Sequence, residues 1–543
     1  MIMTRDSAAR TSTFGRTMMR TMGCVRLSLC SAVLLAVTPL HATSWYVDNT
    51  AGSGQKTGAS WSNAWTSLQS VNWQSIHAGD TLYISGGATS QTYTETWSVG
   101  ASGTSGNPIT IAVGQDAGHN GTVIFDYNAD GDKSTRTAIT VNRNYVTFNG
   151  NYGGANHIAV RNLRNIINRY SANSISGGGT GLTFDHLTFT NDNNPLSISN
   201  ASGLIIRNCR FEQTRGDRAI FADTRGSWNA NQIYGNYIEI LSNTAVPPGG
   251  SGSYVGPDGI QGNDGMSIYN NTFKVITTTV YTSSQHPDML QMQGSYLKIY
   301  GNDFVNVGDS VFDFDCYANH TPHDIWLYNN IFRIVTTIDP YPEFFRLYAS
   351  SGSVQSITNI KILNNDFIDN TADYRMIRLD SFNGSPTGSG NEIKNNIFYN
   401  DGGGLPSDPL IYIENSTGFN ASSWAFGSNV YYQPGKTQYI VFQNQTYTTA
   451  NWVATKEPTG RSGVAPSFIR YSAFSDSNDY HLSASDTVAR DKGVSLASYF
   501  TTDKDGATRP AGAAWDIGAY EAGGGTGGTT PPAAPTGLRA VPN

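Results

Sequence analysis

The chain contains many short runs in which apolar and polar residues alternate, separated by asparagine- and glycine-rich stretches. Alternation with a period of two predicts β-strands with one buried face, and Asn and Gly predict tight turns between them. One phrase recurs: alternating residues, then Asn-Asn or Gly-Asn, one variable residue, and an aromatic or apolar residue. The second Asn of this phrase is placed about every 31 residues, at Asn208, Asn236, Asn271, Asn302, Asn330, Asn365 and Asn396.

This repeat predicts an all-β fold, a right-handed parallel β-helix over residues 43–522 with an N-terminal cap. A single repeat cannot bury its own apolar face, but stacked repeats share one continuous core. Asn tolerates the left-handed turn conformation, so aligned asparagines are expected to form a ladder along the stack. The aromatic position should stack inside the core, at Phe211, Phe273, Phe304, Phe332, Phe367 and Phe398. A propeller is disfavoured because its repeats usually have about 40 or more residues.

One strand of each repeat can be aligned by its alternation, which places apolar side chains in the core and two polar columns outside. The core positions are Ile260, Leu290, Phe312, Phe345, Ile377 and Ile411. The middle column contains Gln261, Gln291, Asp313, Arg346, Arg378 and Tyr412. The exit column contains Asn263, Gln293, Asp315, Tyr348, Asp380 and Glu414. Strands lie about 4.8 Å apart, which predicts a polar strip roughly 25 Å long, enough for several sugar units.

Acidic residues also gather where these strands begin. Asp258 and Asp288 occupy the same offset, and Asp309 falls one residue away from it. Stacked carboxylates repel one another, so they persist where they share a proton, bind a cation or take part in chemistry. The alternative interpretation is that they cap turns, as Asp often does.

The two ends of the chain predict export and a tether. An arginine-containing stretch precedes an apolar run from Leu27 to Leu40, so residues 1–42 are expected to be a signal peptide of a secreted protein, extracellular or periplasmic. The apolar run is too short for a comfortable membrane span. Residues 523–543 are a Gly/Thr/Pro linker followed by a stretch that resembles the first strand of a fibronectin type III module.

The net charge indicates which partners the protein can bind, and the number of cysteines indicates whether disulfides are expected. The full chain has a net charge of −7, and residues 1–42 hold five Arg and one Asp, so their removal leaves about −11. Such an acidic protein is not expected to bind nucleic acid, although a local basic patch can bind an anionic substrate. Cys209 and Cys316 are interpreted as buried thiols, with one disulfide as the alternative. We expect a monomer.

The Asn-Asn-x-Phe repeats resemble those of the pectin-lyase-like superfamily of parallel β-helix proteins. Trp45–Asp48 with Ala78–Ile84 resembles the cap and first rung of secreted bacterial members, and Trp515–Glu521 resembles their closing motif. The resemblance spans roughly residues 45–521. It implies the fold, but this fold hosts lyases, hydrolases, esterases, epimerases and non-catalytic adhesins, so the activity has to be argued from the site.

The function we favour from the sequence is a polysaccharide lyase that cleaves a uronate-containing polymer by β-elimination. Elimination needs the uronate carboxylate neutralised, a base for the adjacent proton and a donor for the leaving oxygen. The resemblance implies Ca²⁺ or Arg as the neutraliser and Arg or Lys as the base, roles that fit Arg346 and Arg378. Asp258, Asp288 and Asp313 are then the expected oxygen ligands of a Ca²⁺ cofactor.

A glycoside hydrolase is the first alternative, because it needs two carboxyl groups flanking the scissile bond. Asp288, Asp309 and Asp313 are the candidates. The segment from Asp288 to Asp315 resembles polygalacturonase-type hydrolases, in which an Asp-Gly-Ile-Asp strand precedes Gly-Asp-Asp. Asp288 and Asp309 match two of those acids, and Ser310 stands where the third would be.

The second alternative is a non-catalytic surface protein that binds glycans on the same strip. In each case the polysaccharide is expected to contact polar side chains of the strip and of the loop that follows it. These are Gln261, Gln291, Gln293, Asp315, Tyr348, His320 and His323. A zinc site is not expected, because the histidine spacing matches no strong signature.

Overall fold

The computed structural model describes residues 42–128, 134–165, 171–242, 257–277, 287–315, 321–338, 343–348, 354, 356–371, 375–380, 387–402, 409–414, 423–434 and 439–523. The predicted signal peptide lies outside these residues except for Ala42, and the predicted linker and fibronectin-like stretch lies outside them except for Gly523. Cys316 and His320 also lie outside them.

The chain forms a parallel β-helix with three sheets, as the repeat predicts. After the first strand, Ser44–Val47, the chain visits the three sheets in turn, and each circuit adds one strand to each sheet. The first sheet contains, in order, Ser44–Val47, Thr81–Ile84, Ile109–Val113, Val146–Asn149, Thr183–Asp185, Ile205–Arg207, Asn231–Tyr234, Met266–Tyr269, Leu297–Tyr300, His323–Tyr328, Ser356–Leu363, Asn391–Lys394 and Trp424–Gly427, with Thr387–Ser389 paired beside Ser356–Leu363.

The second and third sheets are built in the same way. The second contains Ser90–Tyr93, Thr122–Asp126, Ile158–Arg161, Leu187–Thr190, Arg210–Thr214, Tyr237–Ser242, Thr272–Thr277, Asp303–Val305, Ile331–Arg333, Asp366–Asp369, Ile397–Asn400, Val430–Tyr432 and Arg461–Ser462. The third contains Trp97–Ser98, Thr137–Asn142, Asn173–Thr180, Asn194–Ser202, Arg218–Thr224, Asp258–Gly262, Leu290–Met292, Ser310–Asp315, Glu343–Tyr348, Arg375–Asp380, Ile411–Ile413 and Tyr439–Phe442, and ends with the antiparallel strand Gln445–Thr448.

Short elements lie outside the three sheets. Two antiparallel pairs join Asn151–Tyr152 to Ala155–Asn156 and Phe468–Arg470 to Asp479–Leu482. The helices are the 3₁₀ turns Trp61–Asn63 and Leu68–Ser70 and the α-helix Thr449–Thr455. No helix within the described ranges is long and apolar enough to cross a membrane.

Buried asparagines line the turn between the first and second sheets and form the predicted ladder. The Asn302 side-chain amide donates to the Ile268 carbonyl at 2.9 Å and to Asn330 Oδ1 at 3.0 Å. The backbone N–H of Asn302 donates to the same Asn330 oxygen at 3.0 Å. Asn330 repeats the pattern towards Asn365 on the next rung. Each asparagine side chain therefore satisfies backbone groups of the preceding rung and bonds to the asparagine side chain of the next one, which fixes the rungs in one register.

The prediction that Asn208 aligns with the other ladder asparagines was wrong by one residue. Arg207 pairs with Tyr234, so Asn208 aligns with Gly235, and both adopt the left-handed turn conformation, with φ of 54° and 66°. Cys209 takes the buried ladder position, where its backbone N–H donates to the Asn236 side chain at 2.8 Å. Counting asparagines cannot separate the left-handed residue of the turn from the buried residue after it, because Asn suits both places.

The aromatic stack inside the core is also present. Ring centroids lie 4.9 Å apart for Phe273 and Phe304, 4.9 Å for Phe304 and Phe332, 4.6 Å for Phe332 and Phe367, and 5.1 Å for Phe367 and Phe398. Phe211 stacks instead on Phe189, because Ile238 occupies the next rung.

Polar side chains accept the last hydrogen bonds of the asparagine ladder, and others hold the C-terminal segment against the fold. Glu457, only 1% exposed, accepts the last ladder bonds from the Asn429 backbone and side chain at 2.8 and 3.0 Å. The segment Trp515–Glu521, predicted to close the fold, packs on the asparagine turns, where the Asn364 side chain donates to the Asp516 and Gly518 carbonyls. A fully buried ion pair between Arg509 and Glu521 holds this segment together.

Substitution of Asn330 by alanine should lower the free energy of unfolding by about 3 kcal/mol, because the buried Ile299 carbonyl and Asn302 N–H lose their partners together. Urea unfolding followed by circular dichroism measures the change. Asn142, an exposed residue at a strand end, provides the control, since Asn142→Ala should change stability by less than about 0.5 kcal/mol. Equal losses for the two variants would contradict a structural role for the ladder.

Candidate active site

The predicted polar columns exist on the outer side of the third sheet. The middle column pairs in register from Gln261 to Gln291, Asp313, Arg346, Arg378 and Tyr412. Asp309 lies outside this register, as expected, because Ser310 is the residue that pairs with Glu343. The entrance column therefore contains Asp258, Asp288, Ser310, Glu343 and Arg375.

The entrance and middle columns form one outward surface, which strict alternation does not predict. Residues three apart would face opposite sides of a flat strand. Here the Gln261 side chain donates to the Asp258 carboxylate, and Arg346 Nε lies 3.5 Å from Glu343 Oε2. Met289 and Leu290, the two residues between the columns on their rung, are both fully buried in the core. The strands thus bend at their entrances, which places both polar columns on the same side of the sheet, although Asp258, Asp288 and Ser310 of the entrance column are buried there.

Three buried aspartates occupy one end of this surface. Asp258, Asp288 and Asp313 are only 2%, 0% and 3% exposed. Asp258 Oδ1 accepts the backbone N–H of Asp288 at 3.0 Å, and Asp288 Oδ1 accepts the backbone N–H of Ser310 at 3.1 Å. Burial raises the pKa of Asp288 well above its usual range, and the negative charges of Asp313, Asp258 and Asp309 raise it further. Both effects favour the protonated form of Asp288 over the ionised form.

Asp258 also has a raised pKa, and its surroundings give it a structural role. Burial raises its pKa well above the usual range, and Asp217 adds to the rise. Its two oxygens accept hydrogen bonds from the Gln261 amide and the Asp288 backbone. This arrangement agrees with the turn-capping interpretation, because Asp258 joins two rungs as the asparagines do at the other corner.

Arginines occupy the other end and converge on one carboxylate. Glu343 accepts Arg378 at 2.9 Å and Arg375 at 3.3 Å, and Arg346 lies at 3.5 Å. Arg378 also donates to Asp380 at 2.6 Å. These three arginine side chains are 23–25% exposed, whereas that of Glu343 is 11% exposed. The cluster presents guanidinium groups to solvent and keeps their counter-ion beneath them.

The acidic neighbours keep the arginines charged. Burial acts to lower the pKa of Arg346, but Asp313 and Glu343 outweigh it and the pKa is raised. The pKa of Arg378 is raised in the same way by Glu343 and Asp380. Burial raises the pKa of Glu343, although Arg378, Arg346 and Arg375 oppose that rise.

Aromatic rings flank the guanidinium groups. The Arg346 guanidinium lies 3.8 Å from the ring centroid of Tyr348, and that of Arg375 lies 5.4 Å from the centroid of Tyr412. A ring face stabilises a cation held above it. Tyr348 and Tyr412 therefore restrict where the guanidinium groups can point.

The remaining predicted residues divide into three groups. Gln261, Gln291 and Gln293 are partly exposed on the strip, and Gln261 also accepts a bond from Arg218. The backbone of Asp315 pairs with Tyr348, while its side chain and His320 lie outside what is described. The structure places His323 on the first sheet, in the strand His323–Tyr328, where it pairs with Asp324 at 2.8 Å. It is a strand residue of another sheet and not part of a loop over the strip.

Glu343 and Arg375 are functional candidates that the sequence analysis did not assign. Both occupy the entrance column, which alternation alone does not turn outward. Their i, i+3 spacing to Arg346 and Arg378 was the available signal, because it repeats the spacing from Asp258 to Gln261.

A calcium site at Asp258, Asp288 and Asp313 finds no support in the geometry. Within the described residues, no group of three or more Asp, Glu, His or Cys side chains is arranged to hold a metal ion. The oxygens of Asp258 and one oxygen of Asp288 already accept hydrogen bonds from amide N–H groups. The expected Ca²⁺ cofactor stays a prediction from the sequence, and no role below depends on it.

No known family profile matches the chain, and no curated protein matches it. Among solved structures, pectate lyase Pel9A matches at 14% identity with a TM-score of 0.40, covering 88% of this chain and 96% of that one. The complex of XylC with xylose matches at 11% identity with a TM-score of 0.43, covering 74% and 86%. The GH136 lacto-N-biosidase from Eubacterium ramulus matches at 13% identity with a TM-score of 0.41, covering 66% and 64%.

The buried acid gives a prediction about pH and stability. Below about pH 4, the ordinary pKa of Asp, the wild type and Asp288→Asn should be about equally stable, since Asn keeps the acceptor that Ser310 uses. As the pH rises the unfolded wild type ionises while the folded protein keeps its proton, so the wild type loses stability and the variant does not. Urea unfolding between pH 4 and 8 should show the two curves separating.

Asp476 supplies a control of opposite sign for this experiment. Although burial opposes it, hydrogen bonding and charge from Arg333 lower the pKa of Asp476, so Asp476→Asn should lose stability relative to wild type above about pH 4. A wild type that remains more stable than Asp288→Asn at pH 7 would show that Asp288 is ionised in the folded protein.

Proposed function

We propose that the strip on the third sheet binds an acidic polysaccharide and cleaves its glycosidic bonds by acid-assisted hydrolysis. The observation that carries this proposal is the buried carboxyl group of Asp288, whose pKa is raised by burial and by the charge of nearby Asp313, at the end of a row of arginines. Two carboxyl groups at a glycosidic bond, one protonated and one ionised, are what such hydrolysis requires. Buried carboxyls that raise one another's pKa are a common way to keep one of them protonated at neutral pH.

The three acids take different roles in this proposal. Asp288 is fully buried, and Asp313 on the next rung lies close enough for its charge to raise the pKa of Asp288, so in this proposal the two carboxyl groups share one proton. As the glycosidic bond breaks, Asp313 relays this proton to the leaving oxygen, a water molecule attacks the anomeric carbon and loses a proton to the second carboxylate, and exchange with solvent restores the original protonation. Asp309 is partly exposed and lies close enough to raise the pKa of Asp288, so it serves as the second carboxylate, which assists the attack at the anomeric carbon. Asp288 is accordingly a positioning residue that controls the proton.

The arginines bind the acidic groups of the polymer. A guanidinium group recognises a carboxylate through two parallel hydrogen bonds, and Arg346, Arg375 and Arg378 each expose about a quarter of their side chains. The acidic neighbours of Arg346 and Arg378 raise the pKa of both guanidinium groups, which suits them to bind a carboxylate. Elimination with Arg346 as the base would instead need a neutral guanidine. For this reason we prefer hydrolysis over the β-elimination favoured by the sequence.

The products decide between the two reactions. On polygalacturonate and alginate we expect new reducing ends without the ultraviolet absorbance of unsaturated uronates. Asp313→Asn should lower kcat by about 10³, because it removes the proton donor, while Asp476→Asn, on another face, should leave kcat unchanged. Unsaturated products would assign the strip to a lyase, and the absence of any product from a broad set of acidic polymers would leave a binding strip only.

Arg346→Met should raise KM for an acidic polymer about tenfold, the value of a lost charge-assisted contact of roughly 1.4 kcal/mol. The methyl ester of the same polymer should show a much smaller change, because it carries no carboxylate. The KM of Arg346→Lys for the acidic polymer should lie between those of the wild type and Arg346→Met, since an ammonium group lacks the planar fork. Steady-state kinetics on the paired substrates measure this, and equal effects on acid and ester would remove the carboxylate-binding role.

A further inference from the structure

The outer side of the first sheet carries a second concentration of aromatic and basic side chains. Lys298, Trp326 and Lys361 pair in register on successive strands. The next column contains stacked tyrosines whose ring centroids lie 4.7–4.8 Å apart, namely Tyr234, Tyr269, Tyr300 and Tyr328. Trp228 lies beside this surface and contacts Trp326, with ring centroids 4.9 Å apart. None of these residues takes part in the strip on the third sheet.

Lys298 is held between two indole rings. Its Nζ lies 5.1 Å from the ring centroid of Trp228 and 5.4 Å from that of Trp326. The two rings are tilted by 53° and form a cleft around the ammonium group. Burial lowers the pKa of Lys298, which shows that the surroundings solvate the cation less well than water does.

The contrast with the neighbouring lysine indicates that this cation is available to a ligand. Lys361, one strand further on, lies 2.7 Å from Glu392 and donates to the Gly390 carbonyl at 2.6 Å. Lys394 also pairs with Glu392, at 2.8 Å. Across the part of the chain that the structure describes, Lys298 has no carboxylate within ion-pairing distance and only the two rings as partners. A half-buried ammonium group gains most from an anion supplied from outside.

The surface is closed at one end and continues at the other. Tyr499 packs against Trp326 with centroids 5.3 Å apart, and Phe500 stacks on Tyr328 at 4.5 Å. Tyr234, Tyr269 and Tyr300 remain partly exposed beyond them. Their rings supply apolar edges and hydroxyl groups at the spacing of the rungs, which suits the mixed apolar and polar surface of a sugar chain.

We propose that Lys298, with Trp228 and Trp326, forms a second, non-catalytic binding site on the first sheet, and that it takes a uronate residue of an acidic glycan. The sugar carboxylate accepts hydrogen bonds from the Lys298 ammonium group, and the neighbouring sugars lie along the tyrosine column. The site stands on a different sheet from the proposed hydrolytic strip and does not require the strip to be active. Such a site would hold a polymer on the protein while another segment occupies the strip.

Binding is measured by isothermal titration with oligogalacturonate and oligo-alginate, using a neutral xylo-oligosaccharide for comparison. Asp313→Asn protein prevents cleavage, and the added change Arg346→Met weakens the strip. In that background we expect residual binding of an acidic oligosaccharide, with tryptophan fluorescence changing on binding. Lys298→Met should weaken this residual binding about tenfold, in line with loss of a desolvated cation, and Lys298→Arg should retain most of it.

Lys456 provides the matched control, because its Nζ also lies over an aromatic ring, 5.4 Å from the centroid of Tyr447, at the C-terminal end of the fold. Lys456→Met should leave binding unchanged. The proposal is overturned if neither acidic oligosaccharide binds in the strip-weakened background, or if Lys298→Met binds as tightly as its parent. Because the readout is binding, a failure of the hydrolytic proposal leaves these outcomes interpretable.

Discussion

A buried amide must find hydrogen bonds inside the solenoid, and that requirement governs how the rungs of this protein stack. Each ladder asparagine bonds to a carbonyl of the rung before it and to the asparagine of the rung after it, as Asn302 does between Ile268 and Asn330. A slip of one residue would leave several buried polar groups without partners, at about 1–3 kcal/mol each. The ladder therefore fixes the register of all three sheets, and with it the columns of the third sheet.

Because the register is fixed, side chains of like charge lie on adjacent rungs of the strip. Their mutual repulsion is reduced in one way at the end with the aspartates and in another way at the end with the arginines. At the acidic end, burial and the neighbouring carboxylates raise the pKa of Asp288, which favours its protonated form. At the basic end, guanidinium groups cannot be neutralised at ordinary pH, so Glu343 lies beneath them as a shared counter-ion. A buried acid with a raised pKa therefore lies on the same strip as a row of arginines, and the proposed hydrolysis rests on this pairing.

The sequence predicted the fold and most of the register, because the asparagine phrase and the alternation are local signals. The middle column from Gln261 to Tyr412 pairs as expected. The outward turn of Glu343 was not predicted, because it depends on a backbone bend that alternation does not encode. The position of His323 was also missed, since the sequence does not show where the next first-sheet strand begins. Whether Asp288 is neutral depends on burial by distant rungs, which no local pattern reports.

The protonation state of Asp288 is the most direct test of this account. Infrared difference spectroscopy of wild type against Asp288→Asn, recorded across a pH titration, isolates the carboxyl band of this residue. We expect a protonated carboxylic acid at pH 7, and we expect its titration to move to lower pH in Asp313→Asn, because the neighbouring charge is removed. A carboxylate band at pH 7, or a titration unaffected by Asp313→Asn, would contradict the shared-proton arrangement.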